Sequence, residues 1–404
     1  MTELTDHHLC GSNIKGKRAN FSSVQSSHVV PIAESEVSRL RTGFEGVIAS
    51  RTRPPFAYTA EDEGVIEDVD LEAQVIKVRY KNGKIHTLTF GEEYTNNSAN
   101  GFYVNQKIAV NNFKKGDKVK PGDVLTYNKE FFQADPYTKQ VNWKIGVLAK
   151  VAIMDCGGTL EDASVITTKL AKKMKFEPVH VREIEITTDT HIHSYAAVGT
   201  KLKSTDPLLI FDESALGDDF GNADEELAEI LGNLNKAAPK ADYSGTIVKI
   251  EALYKAPLNT MHESVQKVIK SVIGVKDRRA AFAEGSDNAE AYQKSRPLYA
   301  TDKVGIIDLE PTTVILRFYI KQIKDMDPGD KLFFDNCLKS VVSAVHDEIL
   351  TEEGEEIEAL TSARGCLARI ICSPYIQGIA NMVLDKLEEY VIEHWDTGKP
   401  FNQH

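Results

Sequence analysis

A turn that the chain writes more than once constrains its fold more than any other feature. Lys115-Gly116-Asp117-Lys118-Val119-Lys120-Pro121-Gly122-Asp123-Val124-Leu125 places two Gly-Asp turns six residues apart, and the pair returns with a basic neighbour at Gly329-Asp330-Lys331. Glycine and aspartate are turn residues for physical reasons: one tolerates positive φ, the other bonds nearby backbone. A barrel built from repeated turn-then-strand units produces echoes of this kind.

The rest of the chain is mostly strand-like. In residues 43–100, Gly64–Val69 and Gln74–Tyr80 alternate apolar with polar, and Asn82-Gly83 between Lys81 and Lys84 signals a two-residue hairpin with a type I′ turn. His86–Phe90 returns. The apolar run Ile145–Met154 is the most strand-like core segment. Strands recur at Val179–Ile186, Leu208–Phe211, Gly245–Ile250 and Thr313–Ile320. Helical spacing marks a segment capped by Asn222, with Leu227, Ile230, Leu231 and Leu234 on one face. A second helix carries Met261, Val265, Val268, Ile269 and Val272. Ser373-Pro374 opens a third, with Ile376, Ile379, Ala380, Val383, Leu384, Leu387 and Val391 along one face. The expected division is an extended arm over 1–42, a small β module over 43–100, a β body over 101–215, an acidic helical insertion over 216–297, a return of the β body over 298–373, and a terminal helix over 374–404.

Bulk properties narrow the function. The 404 residues accommodate two to four domains of about 150 residues each. Sixty acidic against 48 basic residues give a net charge of −12, which argues against a nucleic-acid-coating protein but permits a local basic channel. No apolar run is long enough to span a membrane, and the N-terminus lacks a signal pattern. The five cysteines are odd in number and form no C-x-x-C pair, so reduced thiols in a cytoplasmic protein are expected and a zinc site is not.

Two stretches carry candidate chemistry. Lys331 and Lys339 lie eight residues apart across Gly329–Ser343, a cation at each end of a loop that feeds the β-branched pair Val341-Val342. On the residues alone they are either ordinary solvated lysines or one wall of a site for polyphosphate or a nucleic-acid backbone. The second stretch is Asp155-Cys156-Gly157-Gly158-Thr159-Leu160-Glu161-Asp162. Glu161 and Asp162 either belong to a glycine-loop site or open a helical segment over 161–175, where carboxylates favour the N-terminal end. Asp218-Asp219-Phe220-Gly221-Asn222-Ala223-Asp224 holds the letters of a magnesium triad in the wrong order and is helix-start chemistry.

In order along the chain, several motifs resemble the C-terminal half of the β subunit of multisubunit DNA-directed RNA polymerase. Gly11-Ser12-Asn13 is similar to its G-[SA]-N, and Thr42-Gly43-Phe44-Glu45 to its G-T-G-M-E. Asn105-Gln106-Lys107 followed by Gly116–Leu125 resembles N-Q-[RK]-P … G-D-x-V-x-x-G-D-V-[LI]. Gly146–Ile153 with Glu161-Asp162 resembles the family's run ending in N-[YF]-E-D. Pro328–Leu332 with Lys339–Ser343 resembles x-G-D-K-[ML] … G-x-K-G-V-[IV]-S, and Gly365–Ile370 resembles G-V-P-S-R-M. The departures are local: Asp335-Asn336-Cys337-Leu338 replaces R-H-G-N, Ser340 replaces glycine, and His7 stands where the family has an arginine.

The resemblance implies a mixed α+β, mainly β fold: a double-psi β-barrel with an inserted flap-like domain, a small hybrid-binding-like β module near the N-terminus and a C-terminal helix. It implies that Lys331 and Lys339 contact the RNA 3′ region and phosphates, and that Arg369 contacts the incoming triphosphate. Glu161 and Asp162 would hold a second Mg2+ through water. Asn13, Lys15 and Lys17 join Lys331 and Lys339 as nucleic-acid-binding residues. The implied partners are an N-terminal β polypeptide, β′-type subunits that carry the primary Mg2+ ligands, DNA template, RNA transcript and NTPs, and a promoter-specificity factor, with no membrane. The family's G-G-Q-R-F-G-E-M-E clamp segment does not follow in this sequence. A diverged, split β subunit is what large bacterial viruses encode, which implies location in the cytoplasm of an infected bacterium or in the virion. The competing expectation is a non-catalytic β-barrel scaffold that binds nucleic acid or protein.

Overall fold

The echoed turn is one device built three times. A computed structural model describes residues 24, 28–37, 43, 45–52, 56–212, 238–299, 309–334, 338–369 and 373–397, and strands dominate it. Gly116, Gly122 and Gly329 have φ of +90, +86 and +100°, the left-handed values that favour glycine. In each turn the following aspartate N–H donates at 3.1 Å to the carbonyl three residues back, that of Lys114, Lys120 or Asp327. The aspartate carboxylate then accepts from that same residue's N–H, at 2.9, 2.8 and 2.9 Å respectively. Each turn also docks on a neighbouring segment. The glycine N–H donates to the carbonyl of Ile66, Ala60 or Val342, and the N–H of Ile66, Ala60 or Val342 donates back to the aspartate carbonyl. The echo is therefore a way of fastening a turn to a strand, and the chain uses it in separate sheets.

Five sheets result. The largest has Thr313–Lys321 paired antiparallel along its whole length with Val179–Thr187 on one side and with Gly245–Tyr254 on the other. Val314, Leu316, Phe318 and Ile320 alternate into a core on one face of it. The helix Glu263–Phe282 covers that face with Val265, Val268 and Ile269, whose i, i+3, i+4 spacing forms one stripe. Beyond the helix, Asp287, Asn288 and Ser286 bond Ile85 and Thr87 of the four-stranded sheet built on Gly64–Asp70, Val75–Tyr80 and Ile85–Thr89.

The sheet that positions the candidate site has five strands, in the order Val151–Ile153, Ala359–Thr361, Ala163–Thr167, Leu338–His346, Lys331–Phe334. Ala163–Thr167 runs parallel to Leu338–His346, Val151–Ile153 runs parallel to Ala359–Thr361, and the remaining pairs are antiparallel. Ile166, Val342, Leu332 and Ala359 fill its core with Leu170 and Ala171 of the short helix Thr168–Lys173. Residues 28–34 lie along it, and Glu36–Val37 pairs with Val141–Gly146 of another sheet. Val30 N–H donates to the Lys331 carbonyl, and Glu34 and Glu36 pair with Lys175 and Lys173 at 2.9 and 3.1 Å.

Several sequence expectations are corrected. Glu45–Arg51, expected among strands, is a helix that buries Ala49. The Asn82-Gly83 hairpin forms, but only Gly83 has positive φ (+88°). Gly83 N–H donates to the Tyr80 carbonyl and Tyr80 N–H to the Lys84 carbonyl. This is a three-residue loop ending in a left-handed glycine rather than a type I′ turn. The apolar run Ile145–Met154 is not one buried strand: Val141–Gly146 and Val151–Ile153 belong to different sheets. Between them the Leu148 and Lys150 N–H groups donate to the carboxylates of Glu36 and Glu358 instead of to a ladder. The helix expected from residue 161 starts at Thr168, with the Thr167 hydroxyl accepting from Leu170 N–H at 3.2 Å. The helix Ser373–Thr397 starts where Ser373-Pro374 placed it, but its apolar stripe is solvent-exposed, with Ile379 65% and Val383 63% accessible. The Asn222 helix and Asp218–Asp224 lie outside the described residues.

Candidate active site

The two lysines stand on one face of one hairpin. Lys331 pairs with Val341, and Phe333 pairs with Lys339. Strand residues two apart share a face, so Lys331, Phe333, Lys339 and Val341 all project to the same side. Lys331 and Lys339 are diagonal neighbours in this register, a relation that sets Cα positions about 7–8 Å apart. Lys331 is exposed and Lys339 half-buried. The Lys339 Nζ lies 3.4 Å from His28 Nδ1, a contact no sequence motif announced.

The carboxylate pair reaches the same end of the sheet through the backbone. Ala163 pairs with Val341, so Glu161 and Asp162 lie just before the strand beside Lys339-Ser340. The Asp162 carbonyl accepts from Val341 N–H at 2.9 Å and from the Ser340 hydroxyl at 2.7 Å. Ser340, 4% exposed, also meets the buried Ser164 hydroxyl. Ser343 donates to the carbonyls of Gly158 and Ser164 at 2.5 and 3.0 Å. Both Glu161 and Asp162 are exposed, and Glu161 holds φ +56°, a left-handed conformation that side chains rarely adopt. Strain of this sort concentrates where a turn is over-determined by its surroundings.

What over-determines it is the loop 154–160. The Thr159 hydroxyl, 1% exposed with its residue, accepts from Cys156 N–H at 2.8 Å and donates to the Met154 carbonyl at 2.7 Å. The thiol of Cys156 is held below its ordinary pKa by hydrogen bonding from the Thr159 side chain and the Gly158 backbone. Asp155 accepts from the Ser362 hydroxyl at 2.9 Å and from Arg364 N–H, and these bonds lower its pKa. Asp155 thereby ties the loop to the start of the helix Ala363–Arg369, whose first turn Ser362 also caps through Gly365 N–H.

Sequence motifs that lie far apart are thus gathered. Lys331, Lys339, Glu161 and Asp162 converge at the end of the sheet where Val151–Ile153 and Ala359–Thr361 finish and where Ala163–Thr167 and Leu338–His346 begin. Arg369 is the last residue of the helix that Asp155 and Ser362 anchor there, and its side chain falls outside what is described. Asn13, Lys15 and Lys17 lie outside the described residues. Lys107 of the Asn105-Gln106-Lys107 motif is elsewhere, paired with Glu177 at 2.9 Å and Glu130 at 3.7 Å. Burial pulls its pKa down, the paired carboxylates outweigh that, and it ends raised. Ser362 and His28 are contributions that sequence patterns did not single out, and the bonds made by Ser340 and Asp155 were not legible there either.

Glu161 and Asp162 offer two exposed hard oxygen donors, which suits Mg2+ held through its own water shell. Among the described residues, no cluster of three metal-ligating groups includes them.

No protein-family model matches the chain. It is similar to proteins named DNA-directed RNA polymerase subunit beta. One from Desulforapulum autotrophicum is 29% identical over 180 residues, covering 43% of this chain and 12% of the relative. One from Salinibacter ruber is 31% identical over 182 residues, covering 43% of this chain and 13% of the relative. One from Thermus thermophilus is 24% identical over 368 residues, covering 87% of this chain and 29% of the relative. The chain therefore carries a region like that of RNA polymerase β subunits and spans under a third of the length of these relatives.

Proposed function

We propose that this chain is the C-terminal portion of the β subunit of a multisubunit DNA-dependent RNA polymerase, supplying phosphate- and RNA 3′-end-binding groups to nucleotidyl transfer. The observation that carries the reading is the convergence of Lys331, Lys339 and the Glu161-Asp162 pair at one end of one sheet, in a chain with β-subunit-like sequence. The five-stranded sheet would close with its neighbours as a double-psi β-barrel, and 216–297 would serve as the flap.

In nucleotidyl transfer the RNA 3′-hydroxyl loses its proton and attacks the α-phosphate in line, the bond to the β-phosphate breaks to release pyrophosphate, and charge grows on the phosphoryl oxygens. Fixed cations aimed at that charge lower the barrier. Lys331 and Lys339, side by side on a rigid hairpin, supply point charges, and Arg369 supplies a planar fork that suits a triphosphate. Asn13, Lys15 and Lys17 follow the nucleic-acid backbone. When bound, Mg2+ offsets charge on attacking and leaving oxygens. Glu161 and Asp162 would hold it through its water shell, and a β′-type partner would bring the primary ligands. The chain is then half of a site and is inert alone. Its diverged stretch Asp335-Asn336-Cys337-Leu338 fits a polymerase encoded by a large bacterial virus.

The test is reconstitution with a β′-type partner at fixed salt. Lys331→Ala and Lys339→Ala should each slow elongation by about 10²-fold or more, the scale of losing one preorganised charge donor. An unchanged rate would leave the scaffold reading in its place. A co-purifying chain with an Asp-x-Asp-x-Asp motif is the second expected result.

A further inference from the structure

In a two-stranded sheet separate from the one that carries the lysine hairpin, a His-x-His pair meets a carboxylate. His191 and His193 lie on the strand His191–Tyr195, and Asp212 ends its antiparallel partner Leu209–Asp212. Asp212 stands directly opposite His191, and the register jumps between Ile192 and Ser194, leaving His193 as the extra residue of a bulge. Bulges re-aim side chains, and here one turns His193 Nε2 to within 3.1 Å of Asp212 Oδ2. The donor atoms of His191, His193 and Asp212 all lie within 4.8 Å of one another.

The geometry points to a divalent-metal site of the zinc class, with His191, His193 and Asp212 as ligands. A plain His–Asp ion pair leaves one observation unexplained. Asp212 Oδ1 is buried without a hydrogen-bond partner, and His191 Nδ1 stands 3.8 Å from it, too far to donate. A buried carboxylate oxygen without a donor is costly, and a cation between the imidazoles would satisfy it. Two imidazole nitrogens and one carboxylate are the donor set for Zn2+ or Co2+ rather than for Mg2+, and three protein ligands leave a fourth position for water.

The supports are rigid. Ile192, between the two histidines, is buried, and its N–H donates to the Ser264 hydroxyl at 2.9 Å. Ser264 and His262 form the first turn of the helix Glu263–Phe282, where His262 Nδ1 accepts from Ser264 N–H. The His262 ring centroid is 5.0 Å from that of His191. His262 is not among the groups whose donor atoms gather within 4.8 Å, so it walls the site rather than ligating. The site uses no cysteine, which is why cysteine spacing gave no sign of zinc chemistry.

The experiment uses the full chain, stripped with EDTA and desalted, with Co2+ as the probe. Wild type should take up one equivalent with the intense visible absorption of a tetrahedral ion, and Zn2+ should bleach it. His191→Gln and Asp212→Asn should each weaken uptake by more than about tenfold, beyond the loss that supporting residues alone bring. An octahedral-type weak spectrum, no uptake, or uptake unchanged in both variants overturns the site. A readout independent of the variants is the wild-type thermal midpoint. Zn2+ should raise it while equimolar Mg2+ does not, and an equal response to both overturns the assignment.

Discussion

The Ser340 hydroxyl donates to the Asp162 carbonyl at 2.7 Å, so the residue after one candidate lysine holds the backbone of a candidate carboxylate. The Ser164 hydroxyl meets Ser340 from the other strand, and both serines are buried. Ser340→Ala removes the donor and strands the Ser164 hydroxyl. The expected cost is about 1–3 kcal/mol, the range for buried groups left unsatisfied. Urea denaturation checks it, and a change within error would mean the serines are not coupled.

Gly158 and Glu161 give opposite expectations within one loop. A Cβ on Gly158 would sit 2.5 Å from Val165 Cγ2, a buried β-branched side chain that cannot turn away. Gly158→Ala should therefore destabilise by about 1–3 kcal/mol, as overpacking does. Glu161→Gly relieves a left-handed backbone and should cost under about 0.5 kcal/mol, its entropy loss offset by the strain removed. Matched denaturation curves of the two variants decide.

Glu130 makes stability depend on pH. Burial pushes its carboxyl from 4.5 to about 7 against the opposing pull of Lys107. The raised value means the folded state holds the proton more tightly than the unfolded state. That stabilisation is full below 4.5 and is lost as pH rises through about 7. Glu130→Gln should match wild type near pH 4.5 and exceed it above pH 7, by a difference on the order of 1–3 kcal/mol. Equal curves for the two proteins from pH 4.5 to 8 would remove Glu130 from the account.

The helix Ser373–Thr397 should tolerate charge on its apolar stripe. Ile379 and Val383 are 65% and 63% exposed. Replacing both with Glu should leave the thermal midpoint within the effect of about 0.5 kcal/mol that ordinary surface changes produce. A large fall in the midpoint would place this stripe inside the fold. Among the described residues, no helix is long and apolar enough to cross a membrane.

The sequence was most legible where chemistry is local. Pro-Gly-Asp at 328–330 and 121–123 fixes its own turn, so the echo read from the letters is present in the hydrogen bonds. The Val265–Ile269 stripe was legible because its spacing directly records one buried face. Ile145–Met154 was not, because its middle is held by Glu36 and Glu358, partners that no window of sequence contains. The helix start that was one of two readings of Glu161-Asp162 is not there for a related reason. The stretch Val165-Ile166-Thr167 is drawn into the sheet by strands from residues 338–346 and 359–361. The site showed itself as letters, Lys331, Lys339, Glu161 and Asp162. The hydroxyls and Asp155 that hold those letters in place depend on contacts between residues 178 and 207 positions apart.

The parallel pairing of Ala163 with Val341 also sets a schedule. The 178 positions between them (341 − 163) take roughly 10–35 s to synthesise at about 5–20 residues per second. Through that interval Val165 and Ile166 present apolar strand edges with neither neighbour in place. A chaperone engaged on the nascent chain would meet this segment before either neighbouring strand is made, and the candidate site is among the last parts of the molecule able to form.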